Sequence, residues 1–162
     1  MKRRHTLLLL LLSPFAAFGQ HHAKTGDLQF IENVGQWESP VEYVAGVYGG
    51  ELFLEKNAFT YHFSNAAELG HFKHDPNAGD PSSFVIKNHA FKVHFLHSDP
   101  LVQLQGESIF DNYYNYFLGN DQSKWKGKVS AFGAVRYANL YPGIDMQVYS
   151  QSQSMNMIIS YS

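Results

Sequence analysis

Histidine is the first residue type in this chain that could hold a metal, and there are nine of them. A zinc site needs three or four N, S or O ligands that converge on one point. His94 and His97 are three apart, so on a strand they point to opposite faces. His89 and His97 share a face but stand roughly 26 Å apart at strand rise. His71, His74 and Asp75 are close enough in sequence to converge, but they fall in a polar loop. The histidines therefore read as solvated side chains, and no metal or other cofactor is expected.

Carboxylates are the second candidates. Glu32, Glu38, Glu107, Asp111, Asp121 and Asp145 all fall near predicted strand ends or turns. A glycosidase would need two of them across a cleft, about 5 Å or 6.5–9.5 Å apart. The competing role is backbone chemistry. Asp121 stands where it would cap a short helical turn, and Asp145 follows a Pro-Gly turn where a buried, hydrogen-bonded carboxylate is expected. There is no G-x-S-x-G elbow, no His-Glu-x-x-His pair, no phosphate-binding glycine loop and no calcium loop. The chain also has no cysteine, so thiolate nucleophiles, thiolate metal sites and disulfides are excluded. No catalytic residue is expected; a secreted carbohydrate-active domain with a carboxylate pair is the alternative.

Aromatic residues are the third candidates. Tyr113, Tyr114, Tyr116, Phe117 and Trp125 cluster in sequence, and Trp37 stands near Tyr43 and Tyr48. Exposed Tyr and Trp on a β surface can stack on sugars or anchor a protein partner; buried, they are large core residues. Alternation places Tyr114 and Tyr116 on one face, with Tyr113, Asn115 and Phe117 on the other. One face should be core and the other a binding strip, and Tyr114, Tyr116 and Trp37 are the candidate ligand-binding aromatics. Trp125 and Phe117 are expected in the core, where truncating Trp125 would cost about 3–5 kcal/mol.

The elements that position these residues are strands. Aromatics make up 15% of the chain and charged residues 16%, a mix that suits half-buried pleated surfaces. Short strands are predicted at Val41 to Val47, Glu51 to Glu55 and Ala58 to Phe63. Phe59, Tyr61 and Phe63 lie on the core face of the last of these, with Thr60 and His62 on a wetter face. Between the second and third, Lys56-Asn57 is followed by Ala58, which favours a three-residue loop over a two-residue type I′ turn. Asn65 to Ser83 reads as a long surface loop. Phe84 to His97 reads as a long strand with Phe91, Val93 and Phe95 inward. Further strands follow at Val102 to Gly106, Tyr113 to Leu118, Phe132 to Tyr137, Ile144 to Tyr149 and Met155 to Tyr161. Tyr141-Pro142-Gly143 carries the type II turn signature, with Gln151 to Ser154 as the last loop. The expected fold is all-β, an antiparallel sandwich-like domain.

Three unusual spellings occur in order along the chain. They are Phe30-Ile31-Glu32-Asn33-Val34-Gly35-Gln36-Trp37, then Asn115-Tyr116-Phe117-Leu118-Gly119-Asn120-Asp121 with Trp125, and last Arg136-Tyr137-Ala138-Asn139-Leu140-Tyr141-Pro142-Gly143-Ile144-Asp145. Together they resemble the uncharacterised N-terminal domain of large secreted Bacteroidetes proteins. In those proteins the domain precedes SBBP β-propeller-type repeats and a gliding-motility-associated or type IX sorting C-terminal domain. The resemblance runs from Phe30 to the end of the chain and implies structural roles for these motif residues. It also implies downstream repeats of the same polypeptide as partners, and a continuation beyond Ser162. On that reading the strand Met155 to Tyr161 has an open edge and the chain is prone to associate.

The remaining implications concern location. Lys2, Arg3 and Arg4 precede the leucine run Leu7 to Leu12, and Ala17-Phe18-Gly19 offers a small-x-small cleavage site. The apolar stretch is too short to span about 30 Å of hydrocarbon, and Pro14 interrupts it. Residues 1–19 are thus expected to be a cleavable signal peptide, residues 20–27 a flexible lead-in and residues 28–162 the domain. No transmembrane span is expected. A net charge of −2 gives no bulk attraction to nucleic acid, and a polysaccharide or surface protein is the expected external partner. Mass spectrometry of the exported protein should find Gln20, or pyroglutamate derived from it, at the N-terminus; a retained Met1 would overturn the export reading.

Overall fold

The structure is a computed structural model that describes residues 28–65, 80, 85–117, 119–151 and 154–161. The expected leader, the lead-in and the greater part of the Asn65 to Ser83 loop, with His71, His74 and Asp75, lie outside the described residues. Within them the chain forms nine antiparallel strands of a single sheet. In chain order these are β1 (Phe30–Glu32), β2 (Val41–Val47), β3 (Gly50–Glu55), β4 (Ala58–Ser64), β5 (Asn88–His94), β6 (Gln103–Tyr116), β7 (Lys126–Tyr141), β8 (Ile144–Gln151) and β9 (Ser154–Tyr161). No helix among the described residues is long and apolar enough to cross a membrane.

The all-β antiparallel fold agrees with the sequence reading, but several boundaries differ. The two short strands expected at Val102 to Gly106 and Tyr113 to Leu118 belong to one 14-residue strand, β6. An irregularity between Ile109 and Tyr113, with Ser108 at φ 57°, absorbs the polar interruption instead of ending the strand. Gly106 permits this pairing, because a Cβ there would fall 2.5 Å from the ring of Phe132 on β7. The Tyr141 to Ile144 turn has Gly143 at φ 69°, as a type II turn requires. Lys56 and Asn57, by contrast, form a two-residue turn closed by the Glu55–Ala58 pair, and neither is among the residues at positive φ. The register of Leu54 against Phe59 and Leu52 against Tyr61 sets that turn, so tertiary packing overrides the local preference for a longer loop.

The sheet forks at β7. Phe132 pairs with Phe30 of β1 on one side and Ile109 of β6 on the other. Two residues on, Ala134 pairs with Tyr149 of β8 and Glu107 of β6. One edge of β7 therefore carries β6, while the opposite edge is shared end to end by β1 and β8. From this branch point β1-β2-β3-β4-β5 extends as one limb and β8-β9 as the other. The Leu28 N–H, donating to Ser150 Oγ at 2.7 Å, ties the limbs together at the fork.

The curled limbs face each other across one core, which makes the single sheet sandwich-like. Phe30, Ala45, Leu52, Leu54 and Phe59 come from the first limb, with Val135, Tyr137, Leu140, Met146 and Val148 from β7 and β8. Burying each of the larger side chains contributes about 1.5–3 kcal/mol. Tyr137 stands at the centre with no exposed surface, its ring edge-on to Phe59 and Phe95. Its hydroxyl donates to the Glu55 carbonyl at 3.1 Å, a bond that joins β7 to the end of β3. The expected inward face of β5 is corrected: Phe91 and Val93 are each 44% exposed, because among the described residues β5 is the outermost strand of its limb.

Tyr137→Phe removes the hydroxyl and leaves its carbonyl partner short of a donor in a dry core. The substitution should lower stability by about 1–3 kcal/mol, read as a shifted urea midpoint at unchanged slope.

Candidate functional site

The first motif is a loop wired by its own side chains. Asn33 Oδ1 accepts from the N–H groups of Gly35 and Trp37 at 3.0 and 3.1 Å. Its Nδ2 donates to the carbonyls of Trp37 and Val41 at 2.9 and 2.7 Å. Gln36 accepts from the Val34 N–H and donates to the Glu32 carbonyl, which closes the loop from its other side. Gly35 sits at φ 106°, where a side chain would be strained. The result of this wiring is a fixed position for Trp37.

Trp37 meets the ring of Tyr116 edge-on at 5.1 Å, and Tyr116 stacks on Tyr114 at 6.5 Å. The structure thus brings together Trp37, Tyr114 and Tyr116, the aromatics singled out from sequence. All three are half-buried. Gln29 Oε1 accepts from the Tyr114 hydroxyl at 2.8 Å and from Asn112 Nδ2 at 3.1 Å, so amides border the rings. Gln29 and Asn112 carried no signal in sequence, since their contact spans 83 residues.

The opposite face of the β6–β7 hairpin carries a second aromatic group. Phe117 and Trp125 pack edge to face at 5.9 Å, and Tyr113 precedes them along β6. Trp125 Nε1 donates to the Gly119 carbonyl at 3.2 Å, with Gly119 at φ 72°. Asp121 caps the 3₁₀ turn Gln122–Lys124 by accepting from the N–H and hydroxyl of Ser123. Those bonds hold its carboxyl below the usual range. Lys124 then reaches Glu38 at 2.8 Å and ties this turn to the Trp37 loop. Asn115 Oδ1 accepts from the N–H of Lys128, which is at φ 57°.

Trp125 and Phe117 were expected in the core; they are 38% and 58% exposed. The reason is topological. Among the described residues, β1 and β8 leave the first five residues of β7 with β6 as their one paired neighbour, so the hairpin end forms a two-stranded ribbon with rings on both faces. Val129 of the ribbon is buried, but neither group of rings belongs to the core cluster around Tyr137. The ribbon is instead a platform of rings edged by Gln29, Asn112 and Asn115.

The carboxylates are engaged separately. Asp145 is buried, and its Oδ2 accepts from Arg136 Nε at 3.0 Å and from a second guanidinium nitrogen. Its Oδ1 accepts from the Asn139 N–H at 2.7 Å. That backbone bond first, and Arg136 second, hold the carboxyl below the usual aspartate range. Arg136 and Asp145 lie diagonally across β7 and β8, where Arg136 pairs directly with Gln147. Gln147 in turn donates to Glu107 at 2.5 Å. Glu55, unremarked in sequence, is 4% exposed and bound by Thr60 and Lys92. Of the described histidines, His62 lies between Glu51 and Asn88, and His89 tilts against Phe91. Among the described residues no group of three or more His, Asp or Glu is placed to hold a metal ion.

A lowered carboxyl pKa contributes stability above the unfolded value, about 3.9 for Asp, and that contribution is lost as pH falls through the folded value. Asp145→Asn should therefore be less stable than the unsubstituted protein at neutral pH. The gap in urea midpoint should close as the pH is lowered below about 3.9. A gap unchanged with pH would place the effect outside the ion pair.

All three motifs now have a place: a wired loop for Trp37, a capped ribbon end for Trp125, and a strand pair locked by Arg136 and Asp145. Comparison with curated proteins and with solved structures finds no match. Residues 30–160 match the family model described as a domain of unknown function, DUF7948. The match covers far more than half of the chain, and the chain belongs to the DUF7948 family.

Proposed function

We propose that the chain is the non-catalytic N-terminal module of an exported or cell-surface multidomain protein, and that it adheres to an extended polysaccharide through the β6–β7 ribbon. The observation that carries this reading is the ring platform. Trp37, Tyr116 and Tyr114 line one face of the ribbon, while Tyr113, Phe117 and Trp125 stand exposed on the other. Rings held in place before binding lose little entropy when a ligand stacks on them, and adjacent amides suit hydroxyl-rich partners. The border of this platform is polar rather than aliphatic, which favours a sugar chain over a protein interface with an apolar centre.

The setting suggested by the three motifs is a secreted Bacteroidetes protein, with repeats and a type IX sorting domain downstream and a role in adhesion or gliding motility. A second reading, capping of such repeats, draws support from the apolar strand β9, since a repeat array needs a terminal unit to shield its end. Hydrolysis by a carboxylate pair has less support, because Asp145, Glu107, Glu38 and Asp121 are each held by a neighbouring side chain or backbone group.

Electrophoresis through gels containing soluble polysaccharides tests the proposal. The unsubstituted protein should be retarded by at least one glycan. Trp125→Ala and Trp37→Ala should each release it, with a loss of about 2 kcal/mol, roughly thirtyfold in affinity. Retention in both folded variants would remove the platform reading. Glycan cleavage lost on Glu107→Gln or Asp111→Asn would instead establish the enzyme.

A further inference from the structure

Among the described residues, three strands have one edge without a backbone partner: β5, β6 and β9. Natural sheets guard such edges with charge, proline, bulges or twist, because an unguarded edge templates pairing with another chain. Two of the three are guarded. β5 carries Lys92, flanked by His89 and His94. β6 carries Glu107 and Asp111, and its ladder is broken at Ile109–Tyr113 and again at Tyr114–Tyr116. β9 has neither device. Its eight residues, Ser-Met-Asn-Met-Ile-Ile-Ser-Tyr, contain no charge and no proline, and they pair with β8 in unbroken register from Ser154 to Tyr161.

The faces of β9 are equally unguarded. Met157 pairs with Val148 and Ile159 with Met146, both core residues, so the odd-numbered side chains lie on the core side of the sheet. Only Met155 at the start of the strand is packed there, with its sulfur 3.9 Å from the Tyr61 hydroxyl. Met157, Ile159 and Tyr161 are 53%, 72% and 93% exposed, and Ile158 on the other face is 49% exposed. A strand with apolar residues on both faces has the composition of an interior strand. Here it occupies an edge.

We infer that β9 pairs antiparallel with β9 of a second copy of this chain, so that two sheets become one across a two-fold axis. The pattern of the strand identifies the occupant. An antiparallel pair centred on Ile158 sets Met157 opposite Ile159 and Met155 opposite Tyr161 on the core side. On the outer side Ile158 meets Ile158, and Asn156 meets Ser160. Apolar residues thus face apolar residues and polar residues face polar ones. Two-fold pairing normally sets like charges near one another, which is destabilising. A strand without charge escapes that penalty, and the same edges on β5 and β6 would not. The inference rests on β9 alone and is independent of the ring platform.

Light scattering of the purified protein should give twice the mass of the chain. Met157→Lys with Ile159→Lys, and separately Met157→Glu with Ile159→Glu, should each yield folded monomers by circular dichroism. The apparent dissociation constant should rise at least about tenfold in each. Mixing the two variants should restore the two-chain species, because opposite charges then face each other across the new pair. Val93→Lys on β5 and Ile109→Lys on β6 should leave association unchanged. If either double substitution prevents folding, Tyr161→Arg, at a nearly fully exposed position, should give the same loss. A monomeric unsubstituted protein, folded β9 variants that still associate, or a mixture that stays monomeric would each overturn the inference.

Discussion

The branched ladder of β7 is the constraint on which the rest of the structure depends. A buried strand must satisfy its backbone donors and acceptors along both edges. β7 is 16 residues long, whereas β1 is 3 and β8 is 8, so neither neighbour covers its edge alone. Set end to end they cover much of it, with β6 opposite. This sharing turns one sheet into two facing limbs, and the facing limbs create the core around Tyr137. A chain with a shorter seventh strand would have a sheet but no enclosed interior.

Forking exposes backbone groups that a continuous sheet would pair, and the three sequence motifs lie where that happens. Beyond Glu32 the chain must leave β1 and return as β2, and Asn33 makes four bonds to the backbone of that connection. Near the far end of β7 the ladder with β8 is irregular between Tyr137 and Tyr141, and Asn139 stands at φ 53°. The Asp145 carboxylate accepts the Asn139 N–H there and takes Arg136 as its counter-charge. At the ribbon end, Asp121 caps the turn that brings the chain back into β7. The polar motif residues thus satisfy groups that the branching topology leaves over, and a buried unpaired group there would cost about 1–3 kcal/mol.

The same topology leaves two surfaces for function. The ribbon end projects past β1 with rings on both faces. β9 closes one limb with an apolar strand that nothing among the described residues covers. Each carries a different proposed role, the first toward an external glycan and the second toward another copy of the chain. They lie on different strands and can be tested separately.

Local pattern determined a good deal by itself. The strand at Val41 to Val47, the turn at Pro142-Gly143 and the cap at Asp121 depend on near neighbours, and all stand in the structure as the residues imply. The grouping of Trp37 with Tyr114 and Tyr116 was legible only as a set of candidate residues. Their contact needs a loop and a strand roughly eighty residues apart to meet, and periodicity carries no such information. The exposure of Trp125, Phe117, Phe91 and Val93 was misread for the same reason. Alternation tells which residues share a face but not whether another limb packs against it. That depended on how β7 divides its edge between β1 and β8, a long-range pairing set by the whole chain. The all-β character and the turns were therefore determined by the amino-acid sequence read locally, while the assignment of rings to core or surface was decided only by the tertiary structure.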